Sequence, residues 1–292
     1  MADLAATVEE LREDREHGAS WMARQTVEAL LEVAEQPFET PDALVDQLID
    51  AARQLAESRP RIGAIPGAAG RVLAAANGWR HLDLDDFRQL IREEGQAVLD
   101  ARLRAAASIA IHLSEQLDGA VAATHSASAT VREALLHTPP VRVLCTVSEP
   151  VGEGRAFAEG LRAEGLDVEL LEDADAPSAL AGATILLLGA DTVFSDGTLC
   201  NKIGTTVLAE SAVEKEIPVV VAAEIVKLSP MDAVDAPDPG PAERELFELT
   251  PPELLTGIVT EEGVFTPADI AHLVDRTPFL REGYALLQPA RA

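Results

Sequence analysis

The chain has 292 residues, enough for two domains or one large one, and its 47% hydrophobic and 25% charged content is ordinary for a globular protein. Fifty acidic side chains against 23 basic ones give a formal net charge of -27, which excludes direct nucleic-acid binding through a broad basic face. No apolar run reaches the roughly 18 residues of a membrane span, and two cysteines, Cys145 and Cys200, are too few for a disulfide framework.

The opening segment "MADLAATVEELRED" is acidic and amphipathic. It does not read as a secretory leader, and a reducing, cytoplasmic location is expected. The acid surplus suits a high-salt interior, where dense carboxylates stay hydrated and salt screens their mutual repulsion.

Apolar residues at three- and four-residue spacing predict helices through "DLAATVEELREDREHGASWMARQTVEALLEVAEQ", with a break near Gly18. The next helix starts with Thr40 as N-cap and Pro41 in its first turn. The turn-rich "SRPRIGAIPGAAGRVLAAANG" leads into another, and a long helical pattern runs on to about Leu117. After Gly119 the period changes. Short apolar runs at "GAVAAT", "VRVLCTV", "DVELLED", "ATILLLG" and "IPVVVAAE" alternate with helical patterns. The expected fold class is therefore α/β: an N-terminal helical domain over residues 1–117, then a doubly wound parallel sheet, Rossmann-like, over 118–292. Ligands of such sheets sit beyond the carboxyl ends of the strands.

Two polar clusters fall there. The first, "ATHSASATVREAL", places Thr124, His125, Ser126, Ser128 and Thr130 between a strand and a helix. Its hydroxyls and free N–H groups suit an anion, or equally a simple helix cap. His125 reads as a general base, a ligand contact or a loop histidine. The second cluster, "GADTVFSDGTLCNKIGT", sets Asp191 at the end of one strand and leads through Asn201, Lys202, Gly204 and Thr205 into the next helix. The chain has only three lysines, Lys202, Lys215 and Lys227, and two of them lie at strand ends, where both ammonium groups can face one anion. Asp196, within "SDG", reads as a turn residue. Cys145 belongs in the core, and Cys200 is not marked as a nucleophile by adjacency to Asn201. No His/Cys/Asp grouping has metal-ligand spacing and no GxGxxG or P-loop occurs, so neither metal nor cofactor is expected.

Together, "GADTVFSDGTLCNKIGTTVLAESAVEKEIPVVVAAEIVK" resembles the GAD, NKIGT and lysine signature of the initiation-factor-2B alpha/beta/delta and sugar-phosphate isomerase superfamily. "DREHGASWMARQTVEALLE", "SRPRIGAIP" and "FELTPPELLTGIVTEEG" are similar to further segments of that group. The resemblance implies a homodimer or higher oligomer assembled through the Rossmann-like domain. It also implies a sugar phosphate or nucleoside monophosphate bound between the domains, and in the regulatory branch contact with the alpha subunit of initiation factor 2. Asp191 matches the isomerases' proton-transfer aspartate; its catalytic role is conditional. Ligand contacts carried over are His17, Gly18, Arg59, Ser126, Ser128, Asn201, Lys202 and Lys227.

Three positions depart from the isomerase pattern. Ser126 stands where a cysteine follows Thr-His, His17 where an arginine precedes Gly-Ala, and "SEP" (Ser148 to Pro150) where Thr/Ser-Arg-Pro is expected. A thiol near pKa 8.5 is readily tuned into the working range, whereas an alcohol needs a strong neighbouring base. The expected function is a non-catalytic, initiation-factor-2B-like regulatory protein that keeps an anion pocket. The alternative is an isomerase converting ribose 1,5-bisphosphate to ribulose 1,5-bisphosphate.

Overall fold

The computed structural model describes residues 4–288; residues 1–3 and 289–292, the outer ends of the two expected domains and the start of the opening segment, lie outside the described residues. Five helices come first: α1 (Leu4–Glu13), α2 (Ala19–Ala34), α3 (Pro41–Ser58), α4 (Ala64–Gly78) and α5 (Leu84–Leu117). The chain breaks at Gly18, as the pattern predicts. Thr40 caps α3 by accepting from the Ala43 N–H at 3.2 Å, with Pro41 in the first turn. Asp83 caps α5 through the N–H groups of Asp85 and Asp86. Apolar faces meet in one core that includes Leu11, Leu30, Leu48, Ile65, Leu73 and Phe87. None of the described helices is long and apolar enough to cross a membrane.

The second half alternates strand and helix: β1 (Val121–Thr124), α6 (Ala129–His137), β2 (Arg142–Thr146), α7 (Gly154–Ala163), β3 (Val168–Leu171), α8 (Ala176–Ala179) and β4 (Ile185–Leu188). Then come β5 (Thr192–Val193), β6 (Leu199–Lys202), α9 (Thr205–Glu214), β7 (Val219–Ala222), α10 (Gly240–Arg244) and β8 (Phe247–Thr250). The chain closes with β9 (Gly257–Thr260), β10 (Gly263–Phe265), α11 (Ile270–Asp275) and α12 (Pro278–Leu287). The main sheet has the order β10-β9-β7-β4-β1-β2-β3, parallel except for β10. Strand β4 explains its unbroken apolar run: Ile185 and Leu187 pack on one face, Leu186 and Leu188 on the other, and all four are buried. A sheet covered on both sides has no use for polar alternation. The strand order reverses between β1 and β4, and that opening is where the expected crevice lies.

A smaller antiparallel sheet, β5-β6-β8, corrects the reading of "GADTVFSDGTLCNKIGT". The stretch is not a single crossing from strand to helix. It folds back as a hairpin, so Asn201 and Lys202 sit on β6, and Asp191 lies three residues beyond the end of β4 rather than on it. Asp196 makes the expected turn by accepting from the Thr198 N–H at 2.9 Å.

Two features tie the halves together. Buried Glu224 accepts from Ser20 on α2 (3.3 Å), Thr130 on α6 (3.2 Å) and Arg102 on α5 (3.4 Å). Helix α12 crosses α4 where two glycines meet: a Cβ built on Gly283 falls 2.3 Å from the Gly70 Cα and 2.3 Å from its carbonyl oxygen. The converse Cβ on Gly70 comes no nearer than 3.2 Å to Gly283. Gly283→Ala is therefore expected to force the helices apart and cost about 1–3 kcal/mol, with Gly70→Ala costing less. Thermal melts of the two variants check the order, and equal midpoints would refute the crossing as drawn.

Candidate functional site

Loops after β1 and β4 part at the strand-order reversal, and between them and the helical half lies a cavity of about 410 Å³. The nine residues carried over from the resemblance all line it, His17, Gly18, Arg59, Ser126, Ser128, Asp191, Asn201, Lys202 and Lys227, as does His125, whereas Thr124, Thr130, Gly204 and Thr205 of the two polar clusters do not. The helical half supplies the first three, and the sheet half the rest. Gly189 lets the two loops close on each other, since a Cβ there would meet the Ser128 side chain at 2.6 Å.

Ser128 caps α6, its Oγ accepting from the Val131 N–H at 3.3 Å. The capping reading thus holds for Ser128, although the first-turn N–H groups of α6 still have no helical acceptor. Ser126 takes a left-handed backbone, φ 65°, and a chain of hydrogen bonds holds it there. Its N–H donates to Ser148 Oγ (2.8 Å), Ser148 and Thr146 hydroxyls pair at 2.8 Å, and Thr146 Oγ1 meets His125 Nδ1 at 2.7 Å. The other ring nitrogen, Nε2, lies 2.8 Å from the Ile203 carbonyl. A carbonyl only accepts, so Nε2 carries the proton and Nδ1 accepts from Thr146. Burial pushes the His125 pKa down, against the pull of the Ile203 carbonyl. His125 is a neutral positioning residue with both nitrogens occupied, and of its three sequence readings the base is the one the geometry does not favour.

The cations are held in different ways. Arg59, buried at the end of α3, donates through Nε to Glu243 (2.7 Å) and through Nη1 to the carbonyls of Leu11 (3.3 Å) and Asp14 (2.8 Å). Glu243 also accepts from the Arg61 N–H at 3.0 Å. Lys227 donates to the Ala190 carbonyl at 2.9 Å. Lys202 donates to Glu153 at 3.0 Å, and the second oxygen of Glu153 accepts from Ser126 Oγ at 2.6 Å. The N-terminus of α9 is already filled: Glu248 accepts from the N–H groups of Gly204 (2.9 Å) and Thr206 (2.7 Å). Asn201 is turned toward Thr205 Oγ1 at 3.1 Å.

Asp191 makes its hydrogen bonds through the backbone, from its N–H to the Cys200 carbonyl (3.1 Å) and from the Gly63 N–H to its own carbonyl (3.0 Å). Asp191 is half-buried at the cavity wall, and its partial removal from water pushes its pKa up to about 6, against the pull of Lys227 and Arg59. Neither cysteine lines the cavity. Both are free and buried; burial pushes the Cys145 thiol up to about 12 and Cys200 well above its usual range. His17 is held at the mouth, with Nδ1 2.7 Å from Asp14 and its ring stacked on Trp21 at 4.2 Å.

Sequence reasoning missed Glu153 and Glu243. The signal available for Glu153 was its place after β2, beside a strand whose carboxyl end faces the crevice.

The profile of the Initiation factor 2 subunit family matches residues 15–243. A Pyrococcus furiosus protein named for its likeness to subunit 2 of translation initiation factor eIF-2B is 30% identical, over 89% of this chain and 95% of its own. The ribose 1,5-bisphosphate isomerase of Haloterrigena turkmenica is also 30% identical, over 93% of this chain and 92% of its own. The crystal structure of translation initiation factor eIF-2B from Pyrococcus horikoshii OT3 superimposes with a TM-score of 0.78 at 26% identity, covering 91% of this chain and 98% of that one. The chain belongs to the initiation factor 2 subunit family, whose members include both eIF-2B-like proteins and ribose 1,5-bisphosphate isomerases.

Proposed function

We propose that this protein is an eIF-2B-like regulatory factor that holds a sugar phosphate or nucleoside monophosphate in its cavity without isomerising it. The observation that carries this reading is Ser126: a hydroxyl bonded to Glu153 stands where the isomerase pattern has a thiol, and both thiols of the chain are sealed in the core. Arg59, Lys227 and the N–H groups at the start of α6 that Ser128 leaves uncapped supply the anion-binding groups, with Lys202, paired to Glu153, lining the same cavity. His17, Gly18, Ser128 and Asn201 complete the wall against the ligand. Exposed Ile203, Val207 and Leu249, beside and on the small sheet and α9, support assembly with further copies of the chain. Cytoplasmic action and contact with the alpha subunit of initiation factor 2 belong to the same reading.

A second reading, the isomerase, draws on the Asp191 carboxyl near pKa 6 and on Glu153 as a base beside Ser126. Incubation with ribose 1,5-bisphosphate in molar KCl, followed by NMR, separates the two. No ribulose 1,5-bisphosphate is expected; turnover that vanishes in Asp191→Asn would establish the isomerase instead. Calorimetry with ribose 5-phosphate is expected to show binding that weakens at least tenfold in Lys227→Met. Lys215→Ala should leave it unchanged, because that ammonium bonds Ser211 at 2.8 Å on α9 and does not line the cavity. Equal losses in the two variants would place the anion elsewhere.

A further inference from the structure

Cavity-lining Glu153 sits at the N-terminus of α7 with both oxygens engaged: one accepts from Ser126 Oγ at 2.6 Å, the other from Lys202 Nζ at 3.0 Å. The Lys202 side chain is 6% exposed and that of Glu153 is 22% exposed, so the more open partner of the pair is the carboxylate. A ligand reaching this wall meets an anion whose cation is already spent. Carboxylate lone pairs accept hydrogen bonds from ligand hydroxyls and repel a phosphate. Elsewhere in the lining, Asp191 loses its charge more readily through burial, and nearby Lys227 and Arg59 oppose that loss. Arg59 and Lys227 both line the cavity with Asp191, whereas Glu243, the ion-pair partner of Arg59, does not.

We propose that Glu153 sets ligand specificity: by neutralising Lys202 it makes the Ser126 wall a hydroxyl-binding surface, so the cavity takes a singly phosphorylated, polyhydroxylated ligand and rejects a bisphosphate. The proposal rests on the reading of the cavity as a sugar-phosphate site and narrows its ligand class. It accounts for Ser126 as a donor to Glu153, not a weakened nucleophile. It also gives the acidic replacement in "SEP" a companion in the same loop, since Glu149 is a second carboxylate there, exposed and outside the cavity lining.

Calorimetry with two probes, ribose 5-phosphate and ribose 1,5-bisphosphate, tests this on the full-length protein in molar KCl. Wild type is expected to bind the monophosphate at least tenfold more tightly. Glu153→Gln, which keeps an acceptor for Ser126 and removes the charge, is expected to narrow that ratio at least tenfold by tightening the bisphosphate. Glu149→Gln is expected to leave the ratio unchanged. Lys202→Ala gives the opposite arm and does not depend on the first variant folding: with Glu153 unpaired, bisphosphate binding should weaken more than monophosphate binding. An unchanged ratio in Glu153→Gln, or equal weakening in Lys202→Ala, overturns the specificity role while leaving a phosphate site intact. Absence of heat with both probes in wild type and variants overturns the sugar-phosphate reading itself, and the proposal with it.

Discussion

Glu243→Ala is expected to lower the stability of the fold by about 3–5 kcal/mol, the range for removing one partner of a buried ion pair. Side-chain exposures of 4% for Arg59 and 6% for Glu243 put the pair out of water, with Nε and Oε1 2.7 Å apart. After truncation, Arg59 keeps the carbonyls of Leu11 and Asp14 and its place over the Phe247 ring, 5.8 Å away, but no counter-charge. The Arg61 N–H loses its acceptor as well. Arg59 Nε and the Arg61 N–H bond different oxygens of Glu243, so Glu243→Gln keeps an acceptor for one of the two donors and should lose less than the alanine variant. Replacing both partners, as Arg59→Met with Glu243→Leu, should cost less than Glu243→Ala alone, because no unpaired charge is then left inside. Urea titrations measure the series. They should be repeated at 0.1 M and 2 M KCl: a surface pair is screened over this range, whereas the loss predicted here persists. A loss below about 1 kcal/mol, or one that disappears in salt, would place the pair at the surface.

That pair also marks the limit of what could be read from the chain. Continuous apolar runs such as "ATILLLG" announced two-faced strands, and the Thr40-Pro41 step announced α3, because both signals are local. Lysine scarcity made Lys202 and Lys227 conspicuous, and the cavity brings them together with Asp191 and Ser126. Glu153 and Glu243 had no such contrast: each is one acid among fifty. Their meaning comes from partners far along the chain, 49 residues from Lys202 and 184 from Arg59. The β5-β6 hairpin was hidden for another reason. Strand β5 is two residues long, and β6 carries Asn201 and Lys202 at buried positions, so no apolar alternation announces it. His125 stayed ambiguous because its two ring partners come from separate elements, Thr146 from the end of β2 and Ile203 from the turn after β6.

Asp191→Asn is expected to stabilise the protein above neutral pH, and the pH dependence of the gain identifies its cause. In the unfolded chain this carboxyl titrates near 3.8; in the fold, burial raises it to about 6. Between those values the folded state binds more protons than the unfolded state, so stability falls as pH rises through this window. Above pH 6 the full penalty applies, about 3 kcal/mol for a rise of this size. The amide never ionises and escapes it. Wild type and Asp191→Asn should therefore melt together near pH 4 and separate by on the order of 5 °C at pH 8. A gap that is constant with pH would trace to packing, and a variant that melts lower at pH 8 would show that Lys227 and Arg59 outweigh burial. Near neutrality a group of this pKa is protonated in about one molecule in ten, so it can both give and take a proton. Sites that break the local rules at a cost to the fold are where function is expected. A wild-type protein that bears this penalty while leaving ribose 1,5-bisphosphate unchanged would be retaining the carboxyl to grip a ligand, and ribose 5-phosphate should then bind Asp191→Asn more weakly than wild type.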